Sequence, residues 1–144
     1  MKCLTSLVLS AALVASAFAQ IVHISAPADG ATVHAGDEIT VEVDQPDSLS
    51  SSTPIAIVFG FQPCGTSQGS CTLPLEGMGT TILYNGPFKP AFHNDGKEPS
   101  QNFTFTIPAT APTGPAQLNL AHFQLMGAIN FVLVDPQNIT LNVV

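Results

Sequence analysis

The sequence contains four histidines, side chains that can bind metal ions or transfer protons, and they lie far apart along the chain. They are His23, His34, His93 and His122. No two of them have the His-x-His or His-x-x-x-His spacing that places two ligands on one face of a strand or helix. The spacing therefore gives no metal site, and we expect neither a metal nor a cofactor.

The acidic residues and the glycines form no recognisable catalytic motif either. The chain has no phosphate-binding P-loop, and its G-x-S-x-G pattern, "GTSQG", is not followed by the helical segment that a nucleophile elbow needs. Glu38 and Glu42 share one face of a predicted strand with Thr40, which is typical of solvent-facing strand residues. The segment "GDEITVEVDQPD" lacks the ordered ligand spacing of a calcium loop. We therefore expect no catalytic residues and predict that the protein is not an enzyme.

The amino terminus predicts secretion. Lys2, the apolar run "LTSLVLSAALVASAFA" and the small residues around Ala19 form a signal peptide over residues 1–19. Cleavage leaves residues 20–144 as one domain. This mature chain begins with Gln20, whereas secreted copper-dependent oxidases often begin with a histidine that binds the metal. The run is too short for a membrane anchor, so we expect a secreted, extracellular protein.

The charge of the mature chain excludes one class of partner. Two lysines stand against ten acidic residues, a net charge of −8, and there is no arginine. Binding of nucleic acid needs cations that neutralise phosphates, so we exclude it. Anionic membrane surfaces are disfavoured for the same reason.

The mature chain retains two cysteines, Cys64 and Cys71. In an oxidising secretory route we expect them to form a disulfide. The closed loop "CGTSQGSC" is short, so the bond would stabilise the fold by only about 2.5 kcal/mol. The fold must therefore depend on its hydrophobic core.

Short alternating runs, broken by Gly, Pro, Asn and Asp, predict an all-β domain. The runs are "IVHIS", "EITVEV", "PIAIVFGF", "TTILY", "NFTFTI", "NITLNV" and the region 116–125. "TTILY" ends at the turn pair Asn85-Gly86, and prolines fall almost wholly between the runs. About seven such strands favour an immunoglobulin-like Greek-key β-sandwich, with a small barrel as the alternative.

The stretch "GPAQLNLAHFQLMGA" changes the phase of its alternation. Leu118 and Leu120 lie on one parity and Phe123 on the other, with His122 at the join. Two explanations are open: a β-bulge at Ala121 and His122, or a central strand buried on both faces. In either case we interpret His122 as a histidine at the core edge, hydrogen-bonded to backbone.

A long segment from Gly86 to Gln101 supplies the candidate binding loop. It contains Phe88, Phe92 and His93. Aromatic residues in such a loop either form a binding surface or fold back as a satellite of the core.

Two sequons predict N-glycosylation, at Asn102 in "NFT" and Asn138 in "NIT". In each, the Asn and the Thr fall on the polar parity of a predicted strand. The glycan would therefore project outward.

The order of features "HAGDEITVEV", "PIAIVFGF", "NFTFTIP", "GPAQLNLAHFQLMGA" and "NITLNVV" resembles the necrosis-inducing secreted protein family of fungal effectors. The resemblance extends from Ile21 to Val144. The Cys64–Cys71 loop and the long insertion before Asn102 depart from it. These motifs are of the kind that maintain a fold, so the resemblance identifies no contact residues.

The resemblance implies a protein of the host apoplast that binds plant immune receptor-associated kinases, suppresses immune signalling and can induce cell death. The alternative is a secreted cell-wall or polysaccharide-associated module that contacts glycans. Such modules usually present a flat aromatic platform, whereas this chain has no Trp and a single tyrosine, Tyr84. We therefore place the alternative second.

Overall fold

A computed structural model describes residues 21–47, 51–65, 77–94 and 96–144. Their regular structure is entirely β. The strands are β1 (His23–Ala26), β2 (Ala31–Val33), β3 (Glu38–Asp44), β4 (Ser52–Pro63), β5 (Thr81–Pro87), β6 (Ser100–Thr106), β7 (Gly114–Met126) and β8 (Phe131–Val143). No helix in these ranges is both long enough and apolar enough to cross a membrane. The predicted signal peptide lies outside the described residues.

The strands form two sheets. One has the order β1-β3-β6 and the other the order β2-β8-β7-β4-β5. All neighbours are antiparallel except β2, which pairs parallel to the end of β8. The prediction of an all-β domain is confirmed. The eighth strand is the short β2, in a segment that was expected to be a connection.

The core lies between the sheets and is centred on Phe59 of β4. Its ring centroid is 5.2 Å from those of Phe103 and Phe105 of β6, and 6.4 Å from that of Tyr84 of β5. The alternation of "NFTFTI" turns both phenylalanines inward, because successive side chains of a strand point to opposite faces. Aromatic contacts therefore join the two sheets.

Two strands extend beyond their predicted ends. Asn85 and Gly86, expected to form a turn, lie within β5 opposite Val58 and Ile57. Strand β8 begins at Phe131, well before the predicted start at Asn138. It also contains Pro136, although prolines were expected between strands. Because β2 pairs only with the last residues of β8, the edge of β8 at Pro136 is open, and proline is tolerated on an open edge.

The phase change in β7 does not come from a bulge at Ala121 and His122. Strand β7 pairs with β8 without interruption from Gly114 to Met126. The shift in register lies on β4, between Pro54 and Ala56. The bulge predicted in β7 is therefore wrong, and the other explanation, a central strand buried on both faces, is right from Ala116 to His122.

The outer face of this central strand is covered by the segment around Met78. The Asn119 side-chain amide, which is fully buried, donates to the Met78 carbonyl oxygen at 3.5 Å. A Cβ atom on Gly60 of β4 would lie 1.8 Å from the same oxygen. Glycine at this position therefore lets the covering segment approach the sheet.

Candidate functional site

Among the residues that the structure describes, the far end of the β7–β8 hairpin carries most of the exposed large hydrophobic side chains. We call residues 123–134 the hairpin end. Ile129, Phe131 and Val132 are 72%, 66% and 75% exposed, and Phe123 and Leu133 are also exposed. Soluble proteins seldom expose contiguous apolar surface without a use for it. The hairpin end is therefore the strongest candidate for an interaction surface.

The hairpin end is exposed because it extends past the core. On β7 the buried hydrophobic cluster ends at Leu120, and on β8 it begins at Ile139. Beyond these positions β4 continues beside β7 as far as the pair Ser52 and Met126. The hairpin end is therefore regular β-sheet, but its apolar side chains lie outside the space between the two sheets.

A defined turn closes the hairpin. The Gly127 amide donates to the Ser51 carbonyl at 2.9 Å, and the Asn130 amide donates to the Gly127 carbonyl at 3.2 Å. Gly127 and Asn130 have positive φ angles of 70° and 55°, which glycine and asparagine adopt most readily. These bonds hold the exposed side chains on a formed turn.

Both faces of the hairpin end are apolar. Met126 lies opposite Phe131 on one face, and Leu125 lies opposite Val132 on the other. The sequence from Gly114 to Val134 contains no Asp, Glu, Lys or Arg. In a strongly acidic protein this surface is uncharged.

One edge of the hairpin end is open. In the part of the chain that the structure describes, no strand pairs with the outer side of β8 between Phe131 and Asp135. The apolar residues of this segment, "FVLVD", favour β structure, and its last residue, Asp135, is buried. An open, uncharged edge can accept a strand from another chain through backbone hydrogen bonds.

A buried polar group separates the hairpin end from the core. His122 Nδ1 lies 3.3 Å from Asp135 Oδ2, and the Gln124 amide donates to the same oxygen. The Phe88 ring packs edge-on against the His122 ring at 5.0 Å. The partner of His122 is therefore a carboxylate on the neighbouring strand, where backbone was expected.

The predicted binding loop is divided by the structure. Phe88 is 1% exposed and belongs to the core cluster, so this ring folds back onto the core, the second of the two alternatives for the loop aromatics. Phe92 is 66% exposed, and His93 is exposed with its Nε2 atom 3.1 Å from the Ser100 carbonyl oxygen. Phe92 borders an open recess together with Pro54, which pairs with Gln124. Phe92 therefore lies on the same side of the molecule as the hairpin end.

One group of side chains has the composition of a metal site. One ligand atom each from His23, Asp44 and Glu98 lie within 4.8 Å of one another. Three separate parts of the chain supply them: β1, β3 and the loop before β6. Sequence spacing could not reveal this group, because strand pairing assembles it.

The sequon positions agree with their prediction, and the cysteine pair extends beyond the described residues. Asn102 and Asn138 are exposed, whereas Phe103 and Ile139 within the sequons are buried. Cys64 follows β4, and its amide donates to the Pro115 carbonyl at 2.9 Å. Cys71 lies outside the described residues, so the disulfide stays a prediction.

Sequence reasoning missed the hairpin end. The signal was present in "INFVLV", a run of apolar and β-branched residues directly after a glycine turn. Continuous apolar runs usually indicate buried strands. This run is exposed, and alternation could not show that.

Comparisons with known proteins give one family and two solved structures of similar fold. The sequence profile of the Nis1 family matches residues 17–142. Over 143 residues the chain is 34% identical to necrosis-inducing secreted protein 1 of Colletotrichum orbiculare; the match covers 99% of this chain and 81% of that protein.

Two solved structures are similar in fold. A superoxide reductase (neelaredoxin) from Ignicoccus hospitalis aligns with a TM-score of 0.54 at 15% identity, over 91% of this chain and 86% of that one. A chitin-binding domain from Burkholderia pseudomallei aligns with a TM-score of 0.50 at 14% identity, over 80% of this chain and 57% of that one. Identities this low show a shared fold alone.

Proposed function

Because the chain belongs to the Nis1 family, we propose that it is a secreted, effector-like protein that acts by binding a protein partner and not by catalysis. Its relative in Colletotrichum orbiculare is a secreted protein by name, which supports an extracellular location. The partners that the sequence resemblance implies are plant immune receptor-associated kinases. The proposal extends to suppression of immune signalling, with the host apoplast as the place of action.

The observation that carries this proposal is the exposed, uncharged hairpin end. Phe131 and Val132 are apolar, mostly exposed and held on a regular strand. Binding by such a surface needs little reorganisation, because the strand is already formed. A partner with a matching apolar surface would remove these side chains from water, at about 25 cal/mol for each Å² of apolar area.

The processing of the chain is part of the same proposal. We propose removal of residues 1–19, a disulfide between Cys64 and Cys71, and glycans on Asn102 and Asn138. The exposure of both asparagines supports the glycans. The strand orders β1-β3-β6 and β2-β8-β7-β4-β5 support the immunoglobulin-like Greek-key arrangement that the sequence predicts.

Val132→Lys tests the surface. A lysine in the middle of the open edge opposes burial against an apolar partner, because its ammonium group is costly to desolvate. We expect the variant to lose co-precipitation with the receptor-associated kinases and to lose its effect on the immune burst in leaves.

Thr106→Lys is the matched control. It adds the same charge at an exposed strand position of the other sheet. We expect it to bind as the wild type does. Equal binding by both variants would place the interface elsewhere, and a wild type without binding or immune effect would overturn the function itself.

A cell-wall module is the second candidate, and two exposed rings favour it. Phe92 and Phe131 are each 66% exposed and could contact a sugar face. Pull-down on chitin and β-glucan separates the candidates. Firm retention that Phe92→Ala and Phe131→Ala both abolish would favour the glycan partner, and no retention would favour the protein partner.

A further inference from the structure

We propose that His23, Asp44 and Glu98 form a binding site for a divalent transition-metal ion of the Zn²⁺ class. The site is separate from the hairpin end and does not depend on the function proposed above. It uses side chains that no part of that function requires.

The three-stranded sheet positions the site. His23 of β1 pairs directly with Asp44 of β3, and Asp44 pairs with Ser100 of β6. Glu98 precedes Ser100 by two residues, and the intervening Pro99 accepts a 2.8 Å hydrogen bond from the Gln45 amide. Ladder and loop bonds therefore bring the three side chains together, and such a backbone frame is the support that a preorganised site needs.

The side chains already face one another. His23 Nε2 lies 3.4 Å from Asp44 Oδ2, and a Glu98 carboxylate oxygen completes the group within 4.8 Å. Ligand atoms of a tetrahedral zinc ion are about 3.3 Å apart, since each lies about 2.0–2.2 Å from the metal. Small rotations of the three side chains would bring the group to that spacing. Asp47 and Gln137 border one recess with His23 and Glu98 and add oxygen atoms near the group.

The ligand set selects the class of ion. An imidazole nitrogen is a ligand for zinc and its neighbours in the first transition row, whereas Ca²⁺ and Mg²⁺ take oxygen ligands. Three protein ligands leave a fourth tetrahedral position open to water or to another molecule. The geometry therefore points to Zn²⁺ in preference to Ca²⁺.

Calorimetry on tag-free secreted protein tests the site, with ZnCl₂ and CaCl₂ as the probes. We expect the wild type to bind one equivalent of Zn²⁺. His23→Ala and Asp44→Asn should each weaken that binding by about tenfold or more, because the first removes a direct ligand and the second replaces a carboxylate ligand by a neutral amide. A large excess of CaCl₂ should leave zinc binding in place.

His34→Ala is the matched control, because His34 is an exposed histidine outside this group. It should bind Zn²⁺ as tightly as the wild type. Circular dichroism of each metal-free variant establishes that it is folded. The proposal is overturned by a wild type that binds no Zn²⁺, by folded His23 and Asp44 variants that bind normally, or by Ca²⁺ that displaces Zn²⁺ at equal concentration.

Discussion

The two halves of the β7–β8 strand pair share one continuous register but have different surroundings. In the inner half, Leu118 and Leu120 are fully buried between the sheets, and Asn119 on the opposite face is buried beside Met78. In the hairpin end, Phe131 and Val132 remain mostly exposed. Hydrophobic side chains therefore contribute to the core in one half and remain exposed to solvent in the other.

The difference lies in what packs against each half. The inner half shares the core with Phe59 of the neighbouring strand β4 and packs against residues of the opposite sheet, including Phe103 of β6. The residues that the structure describes place no such layer over the hairpin end. An apolar strand is stabilising only where another layer removes it from water.

Among the variants that test this difference between the two halves, Leu120→Ala should cause the largest loss of stability. The side chain is fully buried, so its truncation leaves a cavity and should reduce the free energy of unfolding by about 2–5 kcal/mol. Urea unfolding of the purified protein measures the change. Val132→Ala in the hairpin end is the matched truncation, and it should cost less than about 0.5 kcal/mol. Similar losses in the two variants would show that the hairpin end is packed in solution.

Asp135→Ala should have the next largest effect, at the boundary between the halves. The substitution removes the acceptor that His122 and Gln124 share inside the protein. Leaving these buried groups without a partner should cost about 1–3 kcal/mol of unfolding free energy.

Asp135→Asn is the control for that experiment. It retains one acceptor oxygen, so urea unfolding should show a smaller loss than for Asp135→Ala. Equal losses would mean that the negative charge matters more than the shared acceptor.

Sequence alone predicts the buried face of β6 well and the hairpin end poorly. The alternation at Phe103, Phe105 and Ile107 determines which face is buried, because a period of two allows one inward set. The run from Ile129 to Val134 has almost no alternation. Periodicity therefore cannot tell whether another layer covers it, since coverage depends on where the partner sheet ends.

The group at His23 and Asp44 escapes prediction for a different reason. The two residues are direct partners only because β1 pairs with β3 in one register. Composition identifies the ligand types, but register decides which of them meet. Similarly, the sequence marks Phe88 and Phe92 alike as loop aromatics. Only the packing of Phe88 against His122 and Phe103 separates the buried ring from the exposed one.

The smallest change in stability is expected from a double substitution that makes the surface of the hairpin end much less hydrophobic. The double substitution Ile129→Ser and Phe131→Ser removes two of the most exposed apolar side chains and leaves the paired backbone intact. We expect the free energy of unfolding to stay within about 0.5 kcal/mol of the wild type. Binding of the dye ANS, which reports exposed apolar surface, should fall. A large loss of stability with unchanged dye binding would mean that these side chains are part of the folded core, and the distinction between the two halves of the hairpin would then fail.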